Sequence, residues 1–326
     1  MKKIFVSGAG GFIGSHLCEN LVSKGYKVRA MMRYNSRNCW GWLDDSPYNK
    51  KIDVVSGDIR NYDSVKTSVE GVDMVFHLAA LIGIPYSYQT PESYVDTNVK
   101  GTLNVLQAAR ELKVKKVVCV STSEIYGNAQ FIPISEQHSV NPQSPYAASK
   151  AAADFMALSF YRSFGTPVTI VRPFNTYGPR QSARAIIPTI ITQILGGSKR
   201  VKLGFVNSTR DFTFVNDTVE GLIKAGESDH SIGEVINIGS NNEIMIKDLV
   251  QLIAKLLGKK VSIVIESKRK RPDKSEVKRL KADISKAKKL LNWAPRYTLE
   301  LGLHETIKWF RDAENLTKYR AEMYNV

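Results

Sequence analysis

Along the first half of the chain, short continuous apolar runs alternate with longer stretches whose apolar positions recur every three to four residues. The runs 4–7, 27–32, 52–57, 73–78, 116–121 and 168–172 predict strands, and 11–25, about 91–112 and 145–164 predict helices. Strands that are apolar throughout are buried on both faces. Separated by helices, they predict βαβ units and a parallel sheet covered on both sides. After about residue 176 the pattern breaks into shorter pieces: helices over 186–195, 246–257 and 284–291, and strands over 211–215, 234–238 and 261–265. The expected class is α/β, a doubly wound parallel sheet with a smaller C-terminal α/β lobe. The expected division is 1–176 with return segments near 211–240 for the sheet, and 177–210 with 241–326 for the lobe.

Composition narrows the class of protein only slightly. With 326 residues, 43% hydrophobic and 24% charged, the chain is ordinary globular material. Its formal charge of +15 suggests a nucleic acid or anionic membrane as partner. That charge is local, however: between Lys255 and Arg296 stand 15 Lys/Arg against four Asp/Glu, +11 of the total. The aromatic residues that stack on single strands are nearly missing from the segment, where Trp293 is alone. Cys18, Cys39 and Cys119 are odd in number and show no metal spacing, so neither a disulfide framework nor a zinc site is expected. The five histidines show no metal spacing either, and His77 reads as a backbone support. No apolar run approaches a membrane span, and the N-terminus runs directly into a strand, so a cytoplasmic protein without membrane or nucleic-acid partners is expected.

Chemistry concentrates in a few motifs. Gly8-Ala9-Gly10-Gly11-Phe12-Ile13-Gly14 follows the first strand and opens the first helix. Such a turn lets backbone N–H groups approach a pyrophosphate, as in Rossmann-type dinucleotide sites. Tyr146 and Lys150 stand four apart on a predicted helix and share a face. A neighbouring ammonium favours phenolate, so the pair predicts a tyrosine base of lowered pKa. Ser121-Thr122-Ser123-Glu124 sits at the carboxyl end of a predicted strand, where open α/β sheets bind ligands. Alone, each of these motifs has a bland reading: a tight turn, a surface pair, a polar loop.

Together with further segments they resemble the extended short-chain dehydrogenase/reductases of the nucleotide-sugar epimerase/dehydratase family, over nearly the whole chain. The segments are Gly57-Asp58-Ile59-Arg60, His77-Leu78-Ala79-Ala80, Asn98 within Asn98-Val99-Lys100-Gly101-Thr102, 172–180, 210–215 and Arg271-Pro272-Asp273. The resemblance implies cofactor contacts from Gly8, Gly10, Gly11, Phe12, Ile13, Gly14, Asp58, Ile59, Leu78, Ala79, Ala80, Asn98, Tyr146 and Lys150. It implies substrate contacts from Asn175, Arg184, Arg210 and Arg271, with Arg210 and Arg271 near a diphosphate. The other lysines of the basic segment, such as Lys281, Lys286, Lys288 and Lys289, then read as a solvated helix face. A homodimer through the helices near 91–112 and 145–164 is the family's usual assembly.

The implied reaction begins with Tyr146 taking the proton of a sugar 4-hydroxyl as hydride leaves C4. A 4,6-dehydratase then needs a carboxylate to remove the C5 proton, and Glu124 matches that place in the family pattern. Many hexose dehydratases carry Thr-Asp-Glu where this chain has Thr122-Ser123-Glu124. Glu124 would thus serve both proton transfers, through Ser123 or water. The same triplet suits UDP-glucuronate decarboxylases, and a 4-epimerase also shares the first step. The segments 81–88 and 180–188 resemble dehydratases of legionaminic acid biosynthesis, which act on GDP- or UDP-linked N-acetylglucosamine. A regulator that binds dinucleotide without chemistry is disfavoured by the complete Glu124, Tyr146 and Lys150 set. For the cofactor, the second strand ends without a carboxylate, while Arg33, Ser36 and Arg37 could hold a 2′-phosphate. NADP is therefore expected ahead of NAD.

Overall fold

The structure is a computed structural model that describes residues 2–320 and 323–324. In chain order the first half runs β1 (Lys3–Ser7), α1 (Phe12–Ser23), β2 (Lys27–Met32), β3 (Ile52–Ser56), α2 (Tyr62–Val69), β4 (Met74–His77), α3 (Ile84–Gln89), α4 (Pro91–Tyr94), α5 (Gly101–Glu111), β5 (Lys116–Val120), α6 (Pro145–Phe164) and β6 (Val168–Pro173). The second half adds β7 (Asn175–Tyr177), α7 (Ile186–Leu195), β8 (Arg200–Leu203), β9 (Thr209–Arg210), β10 (Phe212–Phe214), α8 (Val215–Glu227), β11 (Val235–Ile238), β12 (Ile244–Met245), α9 (Ile246–Leu256), β13 (Ser262–Ile265), α10 (Ser285–Leu291), α11 (Leu299–Arg311) and α12 (Ala313–Thr317).

Seven strands form one sheet in the order β11-β6-β5-β4-β1-β2-β3, and every pairing in it is parallel. The expected doubly wound α/β architecture is thus present. Alternation along β1 shows why both faces must be covered. Ile4 and Val6 enter a core shared with Leu17 of α1 and Leu222 of α8, whereas Phe5 enters a second core with Val105 of α5 and Val65 of α2. Side chains two apart share a face, so an apolar strand of this kind needs helices on each side. Strand order reverses between β1 and β4, and ligands in open α/β sheets bind at such a reversal, beyond the strand carboxyl ends. Register there sets Ser7 beside His77 and His77 beside Cys119.

Helix α6 begins and ends where local chemistry dictates. Ser144 caps it by accepting from Ala147 N at 3.1 Å, Pro145 occupies the first turn, and Gly165 closes it at φ +67°. The stretch expected as one helix over 91–112 is instead α4, a π-type turn (Val95–Lys100) and α5 in succession. Periodicity cannot register one extra residue per turn, and π turns gather at functional positions; this one carries Asn98.

Five helices that hydrophobic patterning did not predict are α2, α3, α8, α11 and α12. The basic segment is also less uniform than expected. Lys281 is not on a helix: its carbonyl accepts from Ile134 N in a bridge before α10. Lys286 pairs with Glu234 at 2.6 Å, and Lys288 and Lys289 are exposed. Trp293 is buried, its indole N–H donating to Asp217 O at 3.0 Å, so it offers no stacking surface. No described helix is long and apolar enough to cross a membrane.

Candidate active site

The Gly-rich turn forms a cradle at the amino end of α1. A Cβ on Gly8, at φ +71°, would sit 2.8 Å from Ala79 N, and one on Gly14 only 2.2 Å from Gly8 O. Around Gly11 a Cβ would meet only Gly8 O, at 3.3 Å, so that position faces open space. Gly11 is also the N-cap of α1 and makes no side-chain cap, which leaves the first N–H groups of Phe12 and Ile13 for an outside acceptor. A pyrophosphate fits this cradle. Gly10 acts elsewhere, because its missing Cβ makes room for Met32 and for the carbonyl of Trp40, and Trp42 N donates to Gly10 O at 3.2 Å. The loop after β2 therefore lies directly on the turn.

Below the turn, His77 acts as the support expected of it. Its ring bonds Ser7 Oγ at 2.8 Å and Thr102 Oγ1 at 3.0 Å, and Ser7 Oγ accepts from Leu78 N and Ala79 N, both at 3.2 Å. Burial, with the nearby Lys150 charge, lowers the imidazole to about 3, so it stays neutral. The Leu78-Ala79-Ala80 backbone is thereby fixed under Gly8. Asn98 exchanges two bonds with Leu81, at 2.8 and 2.9 Å, and donates to Ser149 Oγ at 2.9 Å. Its amide ties the loop after β4 to α6.

At the far end of the cleft, Asp58 is chelated by Arg60, with Nη2 to Oδ2 at 2.6 Å. That guanidinium holds the Asp58 carboxyl below its ordinary range, and Arg33 acts in the same direction. Ile59 is buried under Gly101. Arg33, Ser36 and Arg37 are all exposed, and the backbone N–H of Arg37 donates to Asn35 Oδ1 at 3.1 Å.

Tyr146, Lys150 and the Thr122-Ser123-Glu124 turn come together at the ends of β5 and α6. Thr122 caps the short turn Ser123–Tyr126, accepting from Glu124 N at 3.2 Å, and its hydroxyl faces the Tyr146 phenol. Ser123 is buried and Glu124 half-buried. Lys150 Nζ donates to Val120 O at 2.7 Å. The expected lowering of Tyr146 by Lys150 is overturned. Burial pushes the phenol above its ordinary value, the Glu124 charge adds to the rise, and Thr122 offsets only part of it. A phenolate in a dry site loses its hydration, and one ammonium a helical turn away, already bound to a carbonyl, does not replace it.

On the substrate side, Arg210 is buried and donates to Glu276 at 3.2 Å, while Arg271 approaches the same carboxylate at 3.9 Å. Arg271 Nη1 is buried without a protein partner, the mark of a group awaiting an anion. The charges of Glu124 and Glu276 both favour the guanidinium of Arg210 against its burial. Asn175 donates to Asp211 O at 3.4 Å beside them. The exposed Arg184 lies over Gly83, where a Cβ would meet Nη1 at 2.1 Å, and its charge reaches Tyr94. Tyr94 in turn packs edge-on against Tyr146.

Sequence reasoning missed Glu276, which shares out the two arginines; its signal was an isolated acid in a basic stretch. It also missed a strap in which Tyr88 OH meets Ser275 Oγ at 2.5 Å and Ser275 Oγ donates to Gln143 O at 2.6 Å. No sequence spacing announces contacts between segments so far apart.

Comparison with known proteins shows the family to which this fold belongs. Residues 5–306 match the family model described as GDP-mannose 4,6 dehydratase. The chain is 35% identical to a UDP-glucuronate 4-epimerase of Thermodesulfobacterium geofontis, covering 98% of this chain and 99% of that protein. It is also 35% identical to a UDP-N-acetyl-alpha-D-glucosaminuronate decarboxylase of Bacillus cytotoxicus, covering 96% and 99%. The crystal structure of UDP-glucuronic acid 4-epimerase from Bacillus cereus in complex with UDP-glucuronic acid and NAD superposes with a TM-score of 0.87 at 32% identity, over 95% of this chain and 99% of that one. The chain belongs to the GDP-mannose 4,6-dehydratase-like family, the NAD-dependent nucleotide-sugar epimerases, dehydratases and decarboxylases.

Proposed function

We propose that this protein is a nucleotide-sugar 4,6-dehydratase that converts GDP- or UDP-linked N-acetylglucosamine to its 4-keto-6-deoxy product with loss of water. The observation that carries the reading is that the Glu124 carboxylate, half-buried on the turn that Thr122 caps, lies within charge reach of both Tyr146 and Arg210. When bound, the nicotinamide supplies a hydride acceptor and donor and a positive charge beside the phenol. As phenolate, the form that this positive charge favours against burial, Tyr146 accepts the proton of the sugar 4-hydroxyl, with Thr122 and Lys150 orienting it. The 4-ketone acidifies the C5 hydrogen, Glu124 takes that proton, and the 6-hydroxyl leaves as water, protonated through Ser123 or a water molecule; return of the C4 hydride to C6 and of a proton to C5 completes the product. Arg210 and Arg271 hold the diphosphate, and Arg184 and Asn175 bound the sugar. We read 1–176 with 211–240 as the dinucleotide half, and 177–210 with 241–326 as the nucleotide-sugar half.

A second reading, uronate 4-epimerisation or decarboxylation, draws on the relatives named above and on Arg184, a cation at the Tyr94–Tyr146 end of the cleft. Incubation with each nucleotide-linked N-acetylglucosamine and with UDP-glucuronate, followed by mass spectrometry, separates the two. Loss of one water from the former supports dehydration. An unchanged mass there, with carbon dioxide release or C4 inversion of the uronate, replaces it.

NADP rests on Arg33, Ser36 and Arg37 after a carboxylate-free strand end, whereas the Bacillus cereus relative was solved with NAD. Calorimetry should find NADP+ bound about tenfold more tightly than NAD+, a difference near 1.4 kcal/mol, and Arg33→Ala should erase it. Equal affinities would remove the preference. A homodimer is proposed from the helix faces at 91–112 and 145–164, where Val95, Phe155 and Phe164 are 54%, 57% and 54% exposed. Light scattering should give twice the chain's 36.4 kDa, and Phe155→Glu should return the monomer.

A further inference from the structure

Lys150 is buried, and a buried ammonium is unstable without a counter-charge. Tyr146 stands one turn before it and Asp154 one turn after it along the same face of α6, and His77 of β4 and Cys119 of β5 lie within reach of its charge. Tyr146, His77 and Cys119 are uncharged: the phenol is raised by burial, the imidazole lowered to about 3, and the Cys119 thiol pushed up to about 12. Burial raises the Asp154 carboxyl as well, but among the four it alone has an ion-pair partner, Arg172, that favours its charged form. The residue is 3% exposed, and its Oδ2 accepts from Arg172 Nε of β6 at 3.0 Å. Arg172 is itself held by Nη1 donating to Tyr126 OH at 2.9 Å, and Tyr126 OH donates to Asn237 Oδ1 at 2.8 Å. Tyr126 ends the turn that bears Glu124.

We propose that Asp154 is a positioning residue for the reaction: fixed by its ion pair with Arg172, its carboxylate is the counter-charge that keeps Lys150 an ammonium next to Tyr146. The proposal rests on reading Tyr146 and Lys150 as the pair that oxidises C4. Arg172 opposes the burial that favours a neutral Asp154, and Asp154 opposes the burial that favours a neutral Lys150. A cation that loses its counter-anion gives up its proton at lower pH. The sign is therefore fixed: without Asp154, the ammonium vanishes earlier as pH rises.

The direct test uses protein labelled with 15N-lysine. The Lys150 ammonium resonance is identified by its loss in Lys150→Arg and followed against pH. In Asp154→Asn it should disappear about one pH unit or more below the wild type, within the usual range for removing an adjacent opposite charge, while Asp154→Glu should restore it. An unshifted resonance in folded Asp154→Asn overturns the proposal. Arg172 left unpaired could unfold that variant; Asp154→Asn with Arg172→Met removes both charges and should show the same direction of shift. Nicotinamide reduction by nucleotide sugar, measured alongside, should fall with rising pH in Asp154→Asn. Normal reduction in Tyr146→Phe would instead defeat the reading of the pair, while the resonance would still decide Asp154.

Discussion

Glu124→Gln stops water loss while oxidation at C4 continues. The substitution preserves shape, and the backbone N–H that Thr122 accepts at 3.2 Å is unaffected, so the turn between buried Ser123 and Tyr126 should hold. What disappears is a base. General acid–base groups contribute about 10²–10⁴-fold, and Glu124 is read as serving two proton transfers, so dehydration should fall by about 10³-fold or more. Reduced nicotinamide should accumulate, and exchange of the C5 hydrogen with deuterated solvent should cease. The pH dependence of the oxidation carries a second sign. The Glu124 charge raises the Tyr146 phenol, so its removal lowers that group and should move the rise of oxidation with pH toward lower pH. Near-normal formation of dehydrated product by this variant would dismiss Glu124 as the base.

Tyr146→Phe should abolish the oxidation itself. In single turnover, nicotinamide reduction should fall by about 10²–10⁴-fold, with no C5 exchange to follow. Binding of dinucleotide and nucleotide sugar, read by calorimetry, should change little, because the ring keeps its edge-on packing against Tyr94, centroids 6.3 Å apart. Thr122 loses a partner, a cost of about 1 kcal/mol visible in Tm. The two variants thus divide the pathway, one accumulating reduced cofactor and the other producing none. Identical behaviour in both would mean that the roles are not separable as assigned.

Local chemistry made parts of the fold legible to the residue. The expected bounds of α6, β2 and α7 match the structure to the residue, because Ser144, Pro145 and Gly165 start and stop α6 locally and continuous apolar runs mark β2 and α7. The site was legible as a set of members. Gly8, Gly11 and Gly14 stand within one short segment, as do Tyr146 with Lys150 and Thr122 with Glu124. Their functional spacing is sequential, and a chain spells such spacing out directly.

Relationships across elements were not legible. The rise of the Tyr146 phenol depends on how completely α6, the Thr122 turn and Tyr94 exclude water, which no residue pair encodes. The neutral ring of His77, the orphaned Nη1 of Arg271 and the sharing of Glu276 between two arginines likewise arise only when distant segments close on one another. Period and local spacing were enough to predict the parallel α/β sheet and a phosphate cradle, while the candidate acid–base groups were named by the resemblance of their motifs to a known family. Which of these groups are charged, and what holds them, came from the folded chain alone. Charge state depends on burial and partners, and both are made by contacts between residues far apart in the sequence.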